Sequence, residues 1–245
     1  MIQQHMPQTG NILAFDTATK VCSVALRTSD GVATERWDQG QGIHSEKLFL
    51  FVRELLDSSG LQMSKVGTLL FTTGPGSYTG LRIGTSAMKG FAFGNDLEVY
   101  GISTLAFFAE SARLSKKKIE RIHAVIDARR SHLYHQLYSI GETDIVPETE
   151  VSVREIASLE SLIKEGDVII GTGIKRLPDV LRERLCVLET QNIKAGALIS
   201  LFDRYTNTGE ADALHTVIKK VAPEQFEPYY YGPSIPQVNH GNLGN

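Results

Sequence analysis

The sequence has little cysteine and no long apolar run. Its 245 residues include two cysteines, Cys22 and Cys186, and both lie in apolar segments. This placement predicts small buried side chains rather than a disulfide framework, as in a reducing compartment. No stretch approaches the roughly 18 apolar residues of a membrane-spanning helix, and the first residues lack the charged and apolar parts of a secretory signal. We therefore expect a cytoplasmic protein without a membrane partner.

The chain also lacks an excess of positive charge. Lys and Arg number 25 against 28 Asp and Glu, for a formal net charge of −3. Because phosphate neutralisation supplies most of the affinity of a nucleic-acid surface, this balance argues against a protein that binds nucleic acid alone. The local exception is the basic stretch 113–130, which is either a solvated helix end or the first place to expect RNA contact. The sequence leaves open whether Lys116 to Lys118 make that contact.

Short β-branched segments open the chain, and an amphipathic helix follows. Residues 12–16, 21–28 and 31–38 are separated by turn residues, which predicts three antiparallel strands. A helix is predicted from an N-cap at Ser45 to just before Gly60. Its apolar stripe consists of Leu48, Phe51, Val52, Leu55 and Leu56.

A second predicted helix follows the glycine loop 74–80 and is apolar nearly all round. It carries the small residues Gly80, Gly84, Ala87 and Gly90. Glycine inside a helix costs up to about 1 kcal/mol relative to alanine. We therefore expect close packing of this helix against another backbone.

A strand, an Asp-containing turn and a second strand occur twice, at residues 12–28 and 122–139. The predicted elements outside these repeats and the first two helices are strands at 67–74, 99–102 and 167–173, and helices at 104–114, 177–185 and 195–205. The repetition predicts an α/β protein of two halves with a seam near Ser103. The expected division is an N-terminal subdomain of residues 11–103, a C-terminal subdomain of residues 104–222, and an extension with a flexible tail at 223–245.

The first Asp turn and the glycine loop are the most informative motifs. A carboxylate and hydroxyls at a turn can face a phosphate or its metal, and amides at a helix N-terminus favour an anion. Local turn hydrogen bonding is the alternative. The loop is not a Walker A motif, because Leu81 and Arg82 follow Gly80, and GxSxG is absent around Ser77. The candidate nucleotide or anion site consists of Asp16, Thr17, Gly74, Gly76, Ser77 and Thr79, with Thr19 beside it.

No catalytic residue and no metal site are predicted. His132 and His135 lie three apart on a predicted strand, so their side chains point to opposite faces and cannot share a metal. His44 precedes the first helix, where it either caps that helix or lines an interface. Asp16 and Asp127 remain candidate acids, although an Asp at a turn is common for local hydrogen bonding alone.

Taken together, several motifs resemble a known family. ILAFDTAT, HSEKL, TTGPGSYTGLRIG and VIDARRSHLY closely resemble the bacterial tRNA threonylcarbamoyladenosine biosynthesis family TsaB, also called YeaZ, over residues 12–138. The resemblance thins at PEQFEPYYYG, where the family reads P-x-Y-L-R. Tyr230 matches the family's Tyr, whereas Tyr231 and Gly232 stand in place of Leu and Arg. A role of that arginine is therefore not carried over.

The resemblance implies the actin-like ATPase, ribonuclease H-like α/β fold with two duplicated subdomains. It also implies a non-catalytic paralogue of TsaD that acts as a scaffold. With a TsaE-like ATPase, such a subunit binds and activates TsaD for threonylcarbamoyl transfer to N6 of adenosine 37 in ANN-decoding tRNAs, so that tRNA is contacted only indirectly. TsaD holds a metal through H-x-x-x-H, and residues 102–111 have no histidine here.

The resemblance further implies a helical bundle with the TsaD-like subunit, or a homodimer when the chain is alone. Leu50, which points away from the apolar stripe, and the small residues after Gly80 suit such a surface. Leu50→Glu or Gly84→Arg is then expected to abolish partner binding in a folded chain. No cofactor is expected to be required, while ATP or ADP at the partner interface stays open. The expected interface residues are His44, Leu48, Leu50, Gly80, Arg82, Gly84 and Ala87.

Two other classes of function stay open. One is an active ATPase or phosphotransferase of the acetate-kinase type, with Asp16 and residues 74–80 around the nucleotide; ATP turnover by the chain would reveal it. The other is a metallopeptidase, since relatives of TsaD were once described as glycoproteases. The missing ligand pair argues against that third reading. The state in the cell, homodimer or heterodimer, is not determined by the sequence.

Overall fold

The structure is a computed structural model that describes residues 10–115, 119–141, 145–188, 190, 193–207 and 213–231. Lys116 to Lys118 and the tail from residue 232 lie outside these residues. Among the described residues, no helix combines the length and the apolar character needed to cross a membrane.

The elements of the first half are β1 (Asn11–Asp16), β2 (Val21–Arg27), β3 (Ala33–Gln39), α1 (His44–Ser58), β4 (Val66–Gly74), α2 (Tyr78–Ala92) and β5 (Glu98–Ser103). Then come α3 (Thr104–Ser115), β6 (Arg121–Asp127), β7 (His132–Ile140), β8 (Ile145–Pro147), β9 (Ser152–Glu155), β10 (Val168–Ile170), α4 (Asp179–Glu183), β11 (Cys186–Leu188), α5 (Gly196–Asn207) and β12 (Ile218–Lys220). The predicted strand, Asp turn and strand is confirmed in both halves.

Two mixed sheets carry the fold. The first has the strand order β12-β5-β4-β1-β2-β3, and the second has the order β11-β10-β6-β7-β8, with β9 on β7. In each sheet, the strand that ends at the Asp turn pairs antiparallel with the next strand and parallel with a later one. This repeated arrangement is the α/β, actin-like and ribonuclease H-like fold expected from the sequence, with two duplicated halves.

A shared core joins the two sheets around α3. That helix is buried at every position from Thr104 to Ala112. Apolar residues of both sheets and of α5 belong to the same buried cluster. A second cluster packs α1 and α2 on the outer face of the first sheet, and a third covers the outer face of the second sheet.

The C-terminal boundary predicted from the sequence needs a correction. Strand β12 pairs with β5 in the first sheet, at Ile218 opposite Ile102. Helix α5 packs beside α3 and on the strands of the first sheet. Residues 196–207 and 218–220 therefore return to the first half, and the described part of 104–222 does not form a separate unit. A linear division could not show this return, because it depends on long-range pairing.

Helix α1 begins two residues earlier than predicted. Its first residue is His44, its N-cap is Ile43, and no side chain caps it. Ser45 therefore lies in the first turn and is not the cap. Of the two cysteines, Cys22 is buried as predicted, and Cys186 is only partly buried.

Candidate functional site

The turns and glycine loops of each half meet at one edge of its sheet. In the first half, β1 and β4 run parallel, with Phe15 opposite Phe71, so the Asp16 turn lies beside the glycine loop after β4. In the second half, β6 and β10 run parallel, with Ala124 opposite Ile170. The Asp127 turn then lies beside the loop that starts at Gly171. The carboxyl ends of parallel strands are where α/β folds place ligands.

The carboxylate of Asp16 is sealed inside the protein. Its Oδ1 accepts hydrogen bonds from the backbone N–H of Ala18 at 3.0 Å and from the Thr72 hydroxyl at 2.7 Å. Its Oδ2 is buried without a hydrogen-bond partner. Burial raises the pKa of the Asp16 carboxyl, against the lowering effect of the Thr72 hydrogen bond. This side chain serves the turn and does not face solvent.

The glycine loop is closed by the chain's own backbone. The N–H of Ser77 donates to the carbonyl oxygen of Ala18 over 2.6 Å. The Ser77 hydroxyl caps α2 by accepting from the N–H of Gly80 at 3.3 Å. The Thr17 hydroxyl donates to the carbonyl oxygen of Gly80 at 2.8 Å. The amides at Ser77 and Gly80, which could have bound an anion, are already paired.

The glycines of the loop permit this close contact. A Cβ added at Gly76 would lie 2.4 Å from the carbonyl oxygen of Ala18, and one at Gly80 would lie 2.0 Å from that of Thr17. Gly74 has a positive φ of 116° and packs on the Tyr229 carbonyl. The carbonyls of Thr17 and Ala18 fill the space directly beside the turn, while residues 75–80 also line the cleft between the two halves. Thr79 is exposed at the start of α2.

The second half repeats the arrangement with a more open carboxylate. Asp127 Oδ1 accepts from the N–H of Arg129 at 2.8 Å, and both carboxylate oxygens lie 3.3 Å from Nη1 of Arg176. Gly171, with φ 127°, approaches the Val125 carbonyl so closely that a Cβ would lie 1.9 Å from it. Here a guanidinium neutralises the acid, and a glycine again packs on the strand end.

A cleft of about 1400 Å³ separates the two turns. Both halves contribute to its walls, and the lining is rich in tyrosine. The charged side chains that line it are Lys20, Asp127, Arg129, Lys175, Arg176, Asp179, Arg182 and Glu183. The tyrosines that line it are Tyr78, Tyr134, Tyr229, Tyr230 and Tyr231.

A smaller groove of about 530 Å³ lies between α1 and α2. It is lined by Ser45, Phe49, Tyr78, Thr79, Arg82, Ile83, Ser86 and Ala87. Phe49 and Tyr78 are about half exposed, at 50% and 53%, although both rings are large. The Phe49 ring packs edge-on against Phe91 at 5.6 Å between centroids. We call this surface the α1–α2 groove.

Part of the predicted interface lies in the interior of the chain. Leu48 is fully buried in the core, and a Cβ at Gly84 would lie 2.5 Å from the Thr17 hydroxyl oxygen. The small residues of α2 do allow another backbone to approach, but that backbone belongs to the turn after β1. Leu48, Gly80, Gly84 and Ala87 are all buried within this chain. Ala87 also lines the α1–α2 groove, and the part of these residues in an interface stays a prediction.

The remaining predicted interface residues differ in exposure. Arg82 is exposed on α2, Leu50 is half-buried, and His44 is buried with its Nε2 3.3 Å from the carbonyl oxygen of Val21. Phe49 and Tyr78 were not among the predicted interface residues. A signal was present: Ser45 and Phe49 lie four apart on α1, and Tyr78, Arg82 and Ser86 lie four apart on α2, which places each set on one helix face.

The described residues contain no cluster of three or more His, Cys, Asp or Glu side chains able to hold a metal ion. The prediction that His132 and His135 point to opposite faces is confirmed. His135 is buried with its Nε2 3.0 Å from Nδ1 of His123, whereas His132 is partly exposed near Glu155. His123 in turn lies 3.0 Å from Asp167. This buried network was not predicted from the sequence, because its partners come from three strands or their ends.

The chain is similar in sequence to a known family and to named bacterial proteins. Residues 39–183 match the family model described as TsaD: tRNA N6-adenosine threonylcarbamoyltransferase. The Escherichia coli tRNA threonylcarbamoyladenosine biosynthesis protein TsaB is 33% identical over 223 residues, which cover 89% of this chain and 93% of that relative. The Haemophilus influenzae protein of the same name is 39% identical over 127 residues, covering 52% of this chain and 53% of the relative.

A solved structure agrees with these matches. YeaZ from Pseudomonas aeruginosa superimposes with a TM-score of 0.75 and 28% sequence identity. The superposition covers 91% of this chain and 100% of that one. The similarity thus extends over both halves of the fold.

Proposed function

The chain belongs to the TsaB family of tRNA threonylcarbamoyladenosine biosynthesis proteins, within the wider family that shares the TsaD domain, and we propose that it is a non-catalytic scaffolding subunit. In this proposal it binds a TsaD-like subunit and activates it for threonylcarbamoyl transfer to N6 of adenosine 37 in ANN-decoding tRNAs. The observation that carries the proposal is the exposed aromatic α1–α2 groove.

The groove has the properties of a protein-binding surface. Exposed contiguous apolar surface marks association sites, and aromatic residues and Arg are enriched at interface centres. Phe49, Tyr78 and Ile83 supply the apolar part, while Arg82 and Ser86 supply polar atoms. The family match to the TsaD domain supports a partner of related fold, docked helix against helix. The same surface would serve a homodimer when the chain is alone.

The closed glycine loop supports the absence of catalysis. An actin-like phosphotransferase needs amides free to hold phosphate and an acid that faces the cleft. In this chain the N–H of Ser77 is paired with Ala18, and the Asp16 carboxylate is sealed. In the other half, Arg176 neutralises Asp127. The proposal accordingly requires no cofactor for the chain itself. ATP or ADP at the junction with the partner stays part of the proposal.

The remaining parts of the proposal concern the assembly. A TsaE-like ATPase would join the complex, and tRNA would be contacted chiefly by the TsaD-like subunit. The net charge of −3 supports that division, because a chain without a large basic surface has little to attract phosphate. The reaction would take place in the cytoplasm, where tRNA is processed.

One experiment tests the proposal directly. Threonylcarbamoyl transfer to tRNA is measured with the TsaD-like and TsaE-like subunits in the presence and absence of this chain, and with this chain alone. We expect no transfer by the chain alone and clear stimulation in the mixture, together with co-purification of the TsaD-like subunit. Unchanged transfer in the mixture would contradict the proposal.

The alternative is tested in parallel. ATP hydrolysis by the isolated chain well above background, lost in Asp16→Ala, would replace the scaffold with an ATPase or phosphotransferase. We expect hydrolysis at background level, because the Asp16 carboxylate is sealed and does not reach the cleft.

A further inference from the structure

The C-terminal segment 226–231, which we call the strap, begins on the first half. The ring of Phe226 packs edge-on against Phe71, with 5.0 Å between centroids. The N–H of Tyr229 donates to the carbonyl oxygen of Thr73 at 3.1 Å, beside the glycine loop. These contacts fix the strap to the carboxyl end of β4.

The strap ends on the second half. The Tyr134 hydroxyl, on β7, donates to the carbonyl oxygen of Tyr231 at 2.9 Å, and the two rings lie 6.2 Å apart. Burial raises the pKa of the Tyr231 hydroxyl to about 12, as expected for a ring held in a protein environment. The strap therefore lines the cleft at Tyr229 to Tyr231 and joins the two halves.

Between its two ends, the strap contacts α2. The Tyr230 ring lies 5.0 Å from that of Tyr78, and Nε of Arg82 donates to the Tyr230 hydroxyl at 3.3 Å. The Arg82 guanidinium also lies over the Tyr78 ring, 4.2 Å from its centroid. Tyr78 and Arg82 line the α1–α2 groove, and Tyr78 also lines the cleft. One cluster of three side chains thus borders both cavities.

We propose that the strap is part of the docking surface and couples it to the cleft. Tyr230 positions Tyr78 and Arg82 for the TsaD-like partner, while Tyr231 connects the same backbone to Tyr134 in the second half. The width of the cleft and the shape of the α1–α2 groove then change together. This inference rests on the proposed function, because it names a positioning element of the surface assigned there.

The strap preorganises Tyr78 and Arg82 for binding. Tyr78 and Arg82 are exposed, and a partner that orders free side chains pays for their lost rotamer freedom on binding. A strap that already holds them removes that cost. Weakening the strap should therefore weaken docking by about tenfold, without removing any residue that lines the groove.

The test uses three variants of the full chain. Tyr230→Ala removes the stacked ring, and Tyr230→Phe keeps the ring but loses the hydroxyl. Tyr134→Phe removes only the donor to Tyr231, and Tyr134 does not line the groove. Binding of the TsaD-like subunit is measured by titration calorimetry, and thermal unfolding by circular dichroism checks that each variant is folded.

A second measurement follows the cleft in the free chain. Spin labels are placed at Lys20→Cys and Lys175→Cys, on opposite walls of the cleft, in a background with Cys22→Ala and Cys186→Ala. Pulsed electron paramagnetic resonance then gives the distance distribution between the labels. We expect a narrow distribution in the parent chain and a broader one in Tyr134→Phe.

We expect Tyr230→Ala and Tyr134→Phe to bind about tenfold more weakly, and Tyr230→Phe, which keeps the ring on Tyr78 but releases Arg82, to lose less affinity than Tyr230→Ala. Unchanged affinity in Tyr230→Ala would refute positioning by the strap. Unchanged affinity in Tyr134→Phe, with a broadened distribution, would refute the coupling, and an unbroadened distribution would refute the connection across the cleft. If the parent chain does not bind the TsaD-like subunit, the proposed function fails, while the distance measurement still tests the strap.

Discussion

The backbone N–H of Ser77 donates to the carbonyl oxygen of Ala18 across 2.6 Å, which holds the glycine loop against the Asp16 turn. Residues 59 positions apart in sequence are thereby joined where related folds leave room for a ligand. This contact requires glycine at neighbouring positions, because the carbonyls of Thr17 and Ala18 lie within 2.4 Å of where a Cβ would stand at Gly80 and Gly76.

Gly80→Ala is expected to destabilise the fold. Its Cβ would lie 2.0 Å from the Thr17 carbonyl oxygen, so the backbone must shift. Overpacking of this kind costs about 1 to 3 kcal/mol, or more when backbone has to move. The free energy of unfolding is measured by urea titration.

Gly90→Ala provides the matched control on the same helix. Nothing lies within 4 Å of a Cβ at Gly90, and the residue is exposed. Alanine there should stabilise the chain by about 0.5 to 1 kcal/mol, since glycine is a poor helix former. A loss of stability at Gly90 equal to that at Gly80 would mean that the cost is not due to the contact with Thr17.

Asp16→Asn is expected to be tolerated. The Asn carbonyl can accept the same two hydrogen bonds from Ala18 and Thr72, but its amide nitrogen takes the place of Oδ2, which is buried without a partner. The variant should still fold, because the buried unpaired amide costs about 1 to 3 kcal/mol and the removal of a buried carboxylate offsets part of that cost. Stimulation of the TsaD-like subunit should be unchanged. Loss of stimulation in a folded variant would give Asp16 a chemical role.

The difference in stability between the parent and Asp16→Asn should change with pH in one direction. The pKa of Asp16 is raised in the folded chain, so the folded state holds this proton more tightly than the unfolded state. The stability that this proton contributes is present at low pH and is lost as pH rises from about 4 through the raised pKa. Over that pH range, the unfolding free energy of the parent should fall relative to that of Asp16→Asn. A constant difference would contradict the raised pKa.

The periodicity of the sequence was sufficient to predict the duplicated architecture. Alternation in residues 12–28 and 122–139 marked each strand, turn and strand, because half-buried hairpins need an alternating pattern. The glycines of α2 were also noted correctly as needing close packing. What the sequence could not show was the packing partner, since Gly84 meets Thr17 only when β1 and α2 come together in three dimensions.

Long-range pairing explains the other differences between the sequence-based predictions and the structure. Strand β12 is three residues long and carries no pattern that distinguishes one sheet from the other, so its return to β5 could not be predicted. The strap was predicted to belong to a C-terminal extension, yet Phe226, Tyr230 and Tyr231 each contact a different element. These contacts depend on where the sheets bring β4, α2 and β7.

The buried pair His123 and His135 should make the fold sensitive to acid. Burial lowers the pKa of His135 to about 3 and also lowers that of His123. The unfolded chain therefore binds protons that the folded chain excludes, and stability falls as pH drops below about 6.5. We expect His135 alone to account for about 1 kcal/mol of loss between pH 7 and pH 5.5. Urea titration at a series of pH values measures it.

Two variants separate this effect from other titrating groups. His135→Gln keeps a hydrogen-bonding side chain next to His123 but cannot take up the proton, so its stability should decline less steeply with falling pH. His132→Gln, on the partly exposed side of the same strand, should keep the slope of the parent. A parent slope retained in His135→Gln would show that His135 does not carry the acid sensitivity.

Phe49→Glu is the sharpest test of the α1–α2 groove. Phe49 is half exposed, so the substitution should leave the fold intact, but it puts a charge on a surface that docking would desolvate. We expect affinity for the TsaD-like subunit to fall by more than about thirtyfold, as for a central interface residue. Val32→Glu is the control: Val32 is 56% exposed on the β2–β3 turn and lines neither cavity. It should bind like the parent.

The pair Phe49→Glu and Val32→Glu replaces Gly84→Arg, the substitution that the sequence first suggested. Gly84→Arg would put a long side chain where a Cβ already lies 2.5 Å from the Thr17 hydroxyl oxygen. Loss of partner binding in that variant would therefore report a damaged fold and would carry no information about the interface. Phe49→Glu keeps the two effects apart, because its thermal unfolding can be compared with that of Val32→Glu. Equal affinity in the two variants would exclude the groove as the docking surface.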